Sequence, residues 1–301
     1  MAEFGRILLT GCNGQVGYEL QRTLAPLGNV IALGRDHLDL TDVDALRHTI
    51  QNIKPDLIVN PAAFTAVDSA ESEPKLAYSI NAIAPRVIAE QAAKIGALFI
   101  HYSTDYVYDG TKSGAYVETD QTNPLSVYGK SKLAGERAIY TVGVPHLILR
   151  LGWVYSARGK NFLRTIIRLA QKSDKLRVVT DQLGAPTASY AIAQATAEAL
   201  TQWHESKSGI YHMACAGQTS WHGFAQQILE DYALYSASRG WPPLECHAED
   251  VTAITTHDYS TPASRPMNSL LDNSKLMHSF NLELPPWQNA LANVIAGLEL
   301  D

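Results

Sequence analysis

Cysteine is scarce in this 301-residue sequence: there are three, Cys12, Cys215 and Cys246, far apart and odd in number. A disulfide framework is not expected, and a reducing compartment, the cytoplasm, is. No stretch approaches the ~18 apolar residues that a membrane-spanning helix needs. The opening "MAEFGRILLTGCNG" lacks the basic region, long apolar region and cleavage site of a signal peptide. Lysine and arginine form no block and the net charge is −6. Nucleic acid and anionic membranes are therefore not expected as partners, although a local pocket for an anionic ligand stays open. The ten histidines form no zinc pattern such as H-E-x-x-H, so no metal is expected. Internal repeats and low-complexity tracts are also absent.

What remains is an ordinary soluble composition, 46% apolar and 18% charged, with enough chain for one large domain or two modest ones. The first half alternates short apolar runs with longer helical patterns. "RILLT" (6–10), "VIAL" (30–33), "PDLIVN" (55–60), "ALFIHYS" (97–103) and "HLILRL" (146–151) read as strands. "GQVGYELQRTLAPLG", "TDVDALRHTIQNIK" and "SINAIAPRVIAEQAAKIG" read as helices between them. Near-continuous apolar strands alternating with helices predict an α/β fold: a doubly wound, Rossmann-like parallel sheet covered on both faces. Ligands bind such sheets at the carboxyl ends of the strands. After about residue 150 prolines and turn signals multiply ("GAPTASY", "GWPPLE", "YSTPASRPMNS"). Residues 1–150 are read as a dinucleotide-binding domain. Residues 151–301 are read mainly as a smaller substrate-binding lobe, interleaved with returning elements of the first.

The chemistry begins at "TGCNGQVG", which places Gly11, Gly14 and Gly17 between the first strand and the first helix. Glycines there allow a sharp turn and a close backbone approach to a pyrophosphate, whose charge sits at the helix N-terminus. After the second strand, "GRD" offers Arg35 about where an adenosine 2′-phosphate would lie, which points to NADPH. NADH, with Arg35 as a solvated loop residue, is the alternative. Asp39 and Leu40, in "DLTD", are placed to close over the adenine.

Two tyrosine–lysine pairs share the i, i+4 spacing, Tyr108/Lys112 and Tyr128/Lys132. The first pair flanks Asp-Gly-Thr, which is turn chemistry. The second lies in "SVYGKSKLAGERAI", led by Asn123-Pro124 with the proline just inside a helix, where side chains four apart are neighbours. An ammonium beside a phenol favours phenolate and lowers its pKa, making Tyr128 a usable proton donor or acceptor. Lys132 can also reach a nicotinamide ribose. "HYSTDYVYDG" sets Ser103, Thr104 and Asp105 at a strand's carboxyl end. A hydroxyl there either binds a substrate carbonyl beside the tyrosine or simply caps the strand.

With these residues in place, the chain resembles the extended short-chain dehydrogenase/reductase family and, within it, the bacterial dTDP-4-dehydrorhamnose reductases. The resemblance runs through nearly the whole chain: "TGCNGQVGYELQ", "PDLIVNPAAFTAVDSAESEP", "NAIAP", "HYSTDYVYDG", "NPLSVYGKSKLAGE", "LRLGWVYS", "DQLGAPT" and "TPASRPMNSLLD". It implies reduction of the C4 ketone of dTDP-4-dehydro-L-rhamnose by a reduced nicotinamide, the last step toward dTDP-L-rhamnose for surface polysaccharides. By the same resemblance Tyr128 supplies the proton, Lys132 orients the cofactor and Thr104 binds the carbonyl. Gly14, Gln15 and Val16 meet the pyrophosphate, and Ala62, Ala63 and Thr65 line the cofactor. Asp105 and Trp153 contact the sugar, an aromatic at a strand end otherwise being core. Arg265 in "SRPMNS" is either a partner for the substrate diphosphate or half of a surface ion pair.

Pro61 stands where that family often has alanine. Some of its members are magnesium-bridged dimers built on acidic residues. Glu19 matches one such residue, but "ASYAIAQA" carries no carboxylate, so a monomer or an unbridged homodimer is expected. The competing readings are another nucleotide-sugar reductase or epimerase, and a non-catalytic dinucleotide-binding regulatory subunit.

Overall fold

A computed structural model of the chain describes residues 4–299. Its centre is a six-stranded sheet in which every pairing is parallel. The strands are β1 (Phe4–Thr10), β2 (Gly28–Leu33), β3 (Leu57–Asn60), β4 (Leu98–Thr104), β5 (His146–Leu151) and β6 (Gly209–His212), ordered β6-β5-β4-β3-β1-β2. The chain leaves β1 toward one edge and returns on its other side at β3. The crevice beyond β1 and β3 is thus the topological switch point, where such sheets take ligands.

Register explains why these runs are apolar on both faces. Leu8, Ile58, Phe99 and Ile148 point into one buried cluster. Their neighbours Ile7, Leu9, Val59, Ile100 and Leu149 point into another. With a side-chain period of two, a strand covered on both faces must be apolar throughout. Truncating one fully buried member, Leu9 for example, costs about 2–5 kcal/mol.

Helices α1 (Gln15–Leu24), α2 (Val43–Ile53), α3 (Ala84–Ile95), α4 (Val127–Val142) and α5 (Ser189–Thr201) cover the sheet. Helices α2, α3 and α4 serve the face of Leu8, while α1 and α5 pack together on the other. The aspartate-rich start of α2 is a true cap: Asp42 accepts from the backbone N–H groups of Asp44 and Ala45. Two local expectations shift. "SINAIAPRVIAEQAAKIG" is not one α-helix, because Ser79–Ile83 forms a π turn before α3 begins. Helix α4 does not start at Pro124 but after Ser126, whose hydroxyl accepts from Gly129 N–H, a stronger N-terminal signal than the proline.

The chain beyond residue 150 returns to this body twice, through α5 and through β6. Phe224, Leu229 and Trp287 of the later segments share one apolar cluster with β1 and β5. The short strands Leu176–Val179 and Val251–Ile254 form a parallel pair separate from the central sheet. Among the described residues no helix is long and apolar enough to cross a membrane.

Candidate active site

The glycine turn has the backbone that a dinucleotide needs. Gly11 sits at φ +56°, and a Cβ there would lie 2.8 Å from that of Ala62. A Cβ on Gly17 would strike the Gly11 carbonyl oxygen, so α1 can pack this close to the turn only with glycine. Gly14 is the N-terminal cap of α1 and brings no side-chain hydrogen bond, which leaves backbone N–H groups at the positive end of the helix dipole. The Gln15 side chain ties the start of α1 to the segment near residue 156: its Oε1 accepts from Ser156 Oγ and Asn161 Nδ2, each at 2.9 Å. Val16 is buried in the core behind the turn.

Across the crevice, Ala62 and Ala63 are half-buried and Thr65 is exposed in the loop after β3. Asn81, inside the π turn, clamps this loop. Its Oδ1 accepts from Phe64 N–H (2.8 Å), and its Nδ2 donates to Phe64 O and to Ser131 Oγ, both at 3.0 Å. Sequence reasoning missed Asn81, although "NAIAP" carried a signal; π turns concentrate at functional sites. At the adenine end Arg35 is exposed, and its Nε lies 3.8 Å from Asp39. Asp39 also accepts from Thr41 N–H and Oγ1, each at 2.8 Å, and these bonds hold its carboxyl below the ordinary range. Leu40 is buried in the core with Leu38 and Leu46, so its side chain supports the crevice wall from behind.

At the carboxyl end of β4, Thr104 Oγ1 donates to Asp105 Oδ1 (2.9 Å) and accepts from Tyr106 N–H (3.2 Å). Tyr128 is buried against Tyr106, with ring centroids 5.6 Å apart. Burial pushes its phenol up to about 12, the Thr104 hydroxyl pulls it back, and the Asp105 charge adds to the rise. This differs from the expected lowering by Lys132, whose ammonium is turned instead to Tyr102 O (2.6 Å) and His101 Nε2 (3.3 Å). Lys132 is 1% exposed; burial brings its pKa down to about 8, against the pull of Glu136. Asp105 is also buried, which raises it to about 6, and its Oδ2 has no hydrogen-bond partner.

Two expected ligand contacts are already engaged within the chain. Trp153 adopts φ +49°, a conformation that is strained for a bulky residue. Its indole stacks on Trp221 with centroids 3.5 Å apart, donates to Ser269 Oγ (2.9 Å) and presses on Gly184. It is built into the wall of the site. Arg265 forms a two-pronged pair with Asp68 (2.8 and 3.2 Å) and also bonds Ala263 O. It straps the late "TPASRPMNS" segment onto the short helix Val67–Ser72 that follows β3. The other tyrosine–lysine pair is structural: Tyr108 is fully buried and bonded to Arg150 and His212, while Lys112 pairs with Asp120. Among the described residues no three His, Cys, Asp or Glu side chains gather as a metal site would require.

A doubly wound sheet with an open glycine turn, a buried tyrosine and lysine on one helix and a hydroxyl at the facing strand end defines a nicotinamide-dependent oxidoreductase of the short-chain dehydrogenase/reductase type. The family model described as the RmlD substrate binding domain matches residues 5–300. The chain is 47% identical to a dTDP-4-dehydrorhamnose reductase of Burkholderia thailandensis, over 97% of this chain and 99% of that protein. A solved dTDP-4-dehydrorhamnose reductase of Clostridium acetobutylicum superposes with a TM-score of 0.89 at 36% identity, covering 98% of this chain and 100% of that one. Another, of Bacillus anthracis in complex with NADP, gives a TM-score of 0.88 at 32% identity, covering 99% and 100%. The chain belongs to the RmlD substrate-binding domain family.

Proposed function

We propose that the protein reduces the C4 ketone of dTDP-4-dehydro-L-rhamnose to give dTDP-L-rhamnose, using NADPH, with NADH as the lesser donor. The observation that carries this is the meeting of Thr104 and Tyr128, with Lys132 buried on the same helix, in a chain matched end to end by such reductases. Gly11 and Gly17 shape the turn, and the N-terminus of α1 receives the pyrophosphate. Ala62, Ala63 and Thr65 line the nicotinamide side, and Arg35 faces the adenosine 2′-phosphate. The bound cofactor supplies the hydride for C4.

Every other part belongs to this chain. Reduction needs an acid at the ketone oxygen, and a phenol pushed up by burial stays protonated at neutral pH and can serve as one. Thr104, at the strand end beside the phenol, offers its hydroxyl to the ketone oxygen, and Asp105 offers the sugar an unpaired carboxylate oxygen. Lys132 places a positive charge on the helix of Tyr128, where phenolate forms as its proton leaves. Arg265 reaches the substrate diphosphate by exchanging the Asp68 carboxylate for phosphate. The residues come from one chain, so a monomer suffices for the chemistry. The three free, buried cysteines suit a reducing cytoplasm.

The test mixes the protein with NADPH and enzymatically prepared dTDP-4-dehydro-L-rhamnose and follows loss of reduced-nicotinamide absorbance. Rapid oxidation that Tyr128→Phe reduces by about 10²–10⁴-fold is expected, the range for losing a general acid. No oxidation of NADPH or NADH by protein that still binds them would reject the assignment.

A further inference from the structure

A buried polar chain lies beneath the reactive pair. Thr10 ends β1, Asn60 ends β3 and His101 lies within β4; all three are buried on adjacent parallel strands. Thr10 Oγ1 donates to Asn60 Oδ1 (2.5 Å), Asn60 Nδ2 faces His101 Nδ1 (3.2 Å), and His101 Nε2 faces Lys132 Nζ (3.3 Å). Among the described residues the other hydrogen-bond partner of that ammonium is the Tyr102 carbonyl oxygen.

A neutral imidazole carries one ring proton, so it accepts at one nitrogen and donates at the other. With Asn60 Nδ2 donating to Nδ1, the ring proton sits on Nε2 and points at Lys132. That arrangement suits a neutral amine, which needs a donor for its lone pair. A charged ammonium needs the reverse: Nε2 accepts, Nδ1–H donates, and the Asn60 amide turns over to put Oδ1 on the ring and Nδ2 on the Thr10 hydroxyl. Each arrangement provides a partner at every link from Thr10 to Lys132 and leaves His101 uncharged. A carbonyl such as Tyr102 O cannot do this, because it has no proton to give. The imidazolium is disfavoured by complete burial and by the adjacent Lys132 charge.

We infer that His101 is a positioning residue that holds Lys132 in both of its protonation states, exchanging its ring tautomer while Asn60 turns over to match. The need for both states rests on the proposed reduction. Tyr128 gives its proton to the ketone oxygen, and the phenolate is restored at the expense of a Lys132 proton. The resulting amine regains a proton from water, so one proton is consumed per ketone reduced. Facing Lys132 are Glu136 from its own helix and His101 from β4; Arg150 of β5 neutralises Glu136 at 2.6 Å. Tyr102 directs its own phenol to Thr196, away from the lysine.

The direct test needs neither cofactor nor substrate. Protein carrying nitrogen-15 histidine is followed by NMR from about pH 6 to pH 10, bracketing the expected lysine step. The His101 signals are those missing from His101→Gln. The two ring nitrogens are expected to exchange N–H and acceptor character in one step, with no imidazolium. A ring fixed in one tautomer throughout overturns the inference, whatever the activity. If the ring switches but no nucleotide sugar is reduced, the inference stands and the proposed reaction falls. In turnover, His101→Gln, whose amide can also donate or accept, is expected to keep kcat within about threefold. His101→Phe is expected to lose about tenfold or more and to move the alkaline limb of the profile to lower pH, because the ammonium loses an acceptor. A folded Phe variant with an unchanged profile would mean that the ring only fills space, which also overturns the inference.

Discussion

Asp105→Asn separates the folding penalty of this carboxylate from its place in the site. The side chain is 2% exposed, with Oδ1 bonded to Thr104 and Oδ2 unpartnered. Burial raises its pKa from 3.8 to about 6, and a shift of about two units corresponds to ~3 kcal/mol. The native carboxyl therefore holds its proton where the unfolded chain has released it. Stability falls as pH rises through the window from about 4 to 6, and the penalty is fully present above it. Asparagine removes the charge but leaves an amide N–H where Oδ2 was, which costs about 1–3 kcal/mol if it finds no acceptor. That cost is independent of pH. The gain of the variant over the parent should therefore be about 3 kcal/mol larger near pH 8 than near pH 4. Urea unfolding of both proteins across this range measures it through the midpoints, provided m is shared. A difference in stability that does not change with pH would refute the argument, because the carboxylate would then carry no burial penalty. The same variant should raise KM for the nucleotide sugar while it gains stability at pH 8.

Gly11→Ala should cost about 1–3 kcal/mol, through its positive φ and the contact with Ala62. It should also weaken NADPH binding about tenfold or more, read by thermal unfolding with and without cofactor; full retention of both would remove the turn from the site. Arg35→Ala should weaken NADPH by about tenfold, a charge-assisted pair being lost, and leave NADH unchanged; an equal loss for both dinucleotides would exclude a 2′-phosphate contact. Arg265→Met should raise KM for the nucleotide sugar about tenfold with kcat little altered. An unchanged KM would make the residue only a strap to Asp68. Tyr108→Phe takes one partner from Arg150 and one from His212, so it should destabilise by about 1–3 kcal/mol and spare kcat. A large loss of kcat would link the two buried networks.

The strands were legible because a doubly covered parallel sheet demands apolar runs of a few residues between turn signals. "RILLT" and "HLILRL" accordingly fall within or on β1 and β5. The glycine turn was legible because φ and close approach leave no other residue type. The start of α4 was misjudged because two signals competed and the serine cap prevailed over the proline. The π turn at Ser79–Ile83 has no periodic signature; it follows from the clamp of Asn81 on residues far along the chain. Trp153 and Arg265 stayed between a ligand contact and a structural role because their partners, Trp221 and Asp68, are remote in sequence.

By itself the sequence determined the layered α/β fold and the glycine turn between β1 and α1, and its spacing favoured Tyr128 with Lys132 over Tyr108 with Lys112 as the reactive pair. Each depends on local spacing, which reads directly as helix face, strand face or turn. Only the tertiary structure decided how those groups are tuned. It sets Lys132 on a carbonyl and a buried imidazole, raises Tyr128 and Asp105, and walls in Trp153. Burial and the partners contributed by distant strands set those properties, and neither exists until the sheet has brought Thr10, Asn60, His101 and Lys132 side by side.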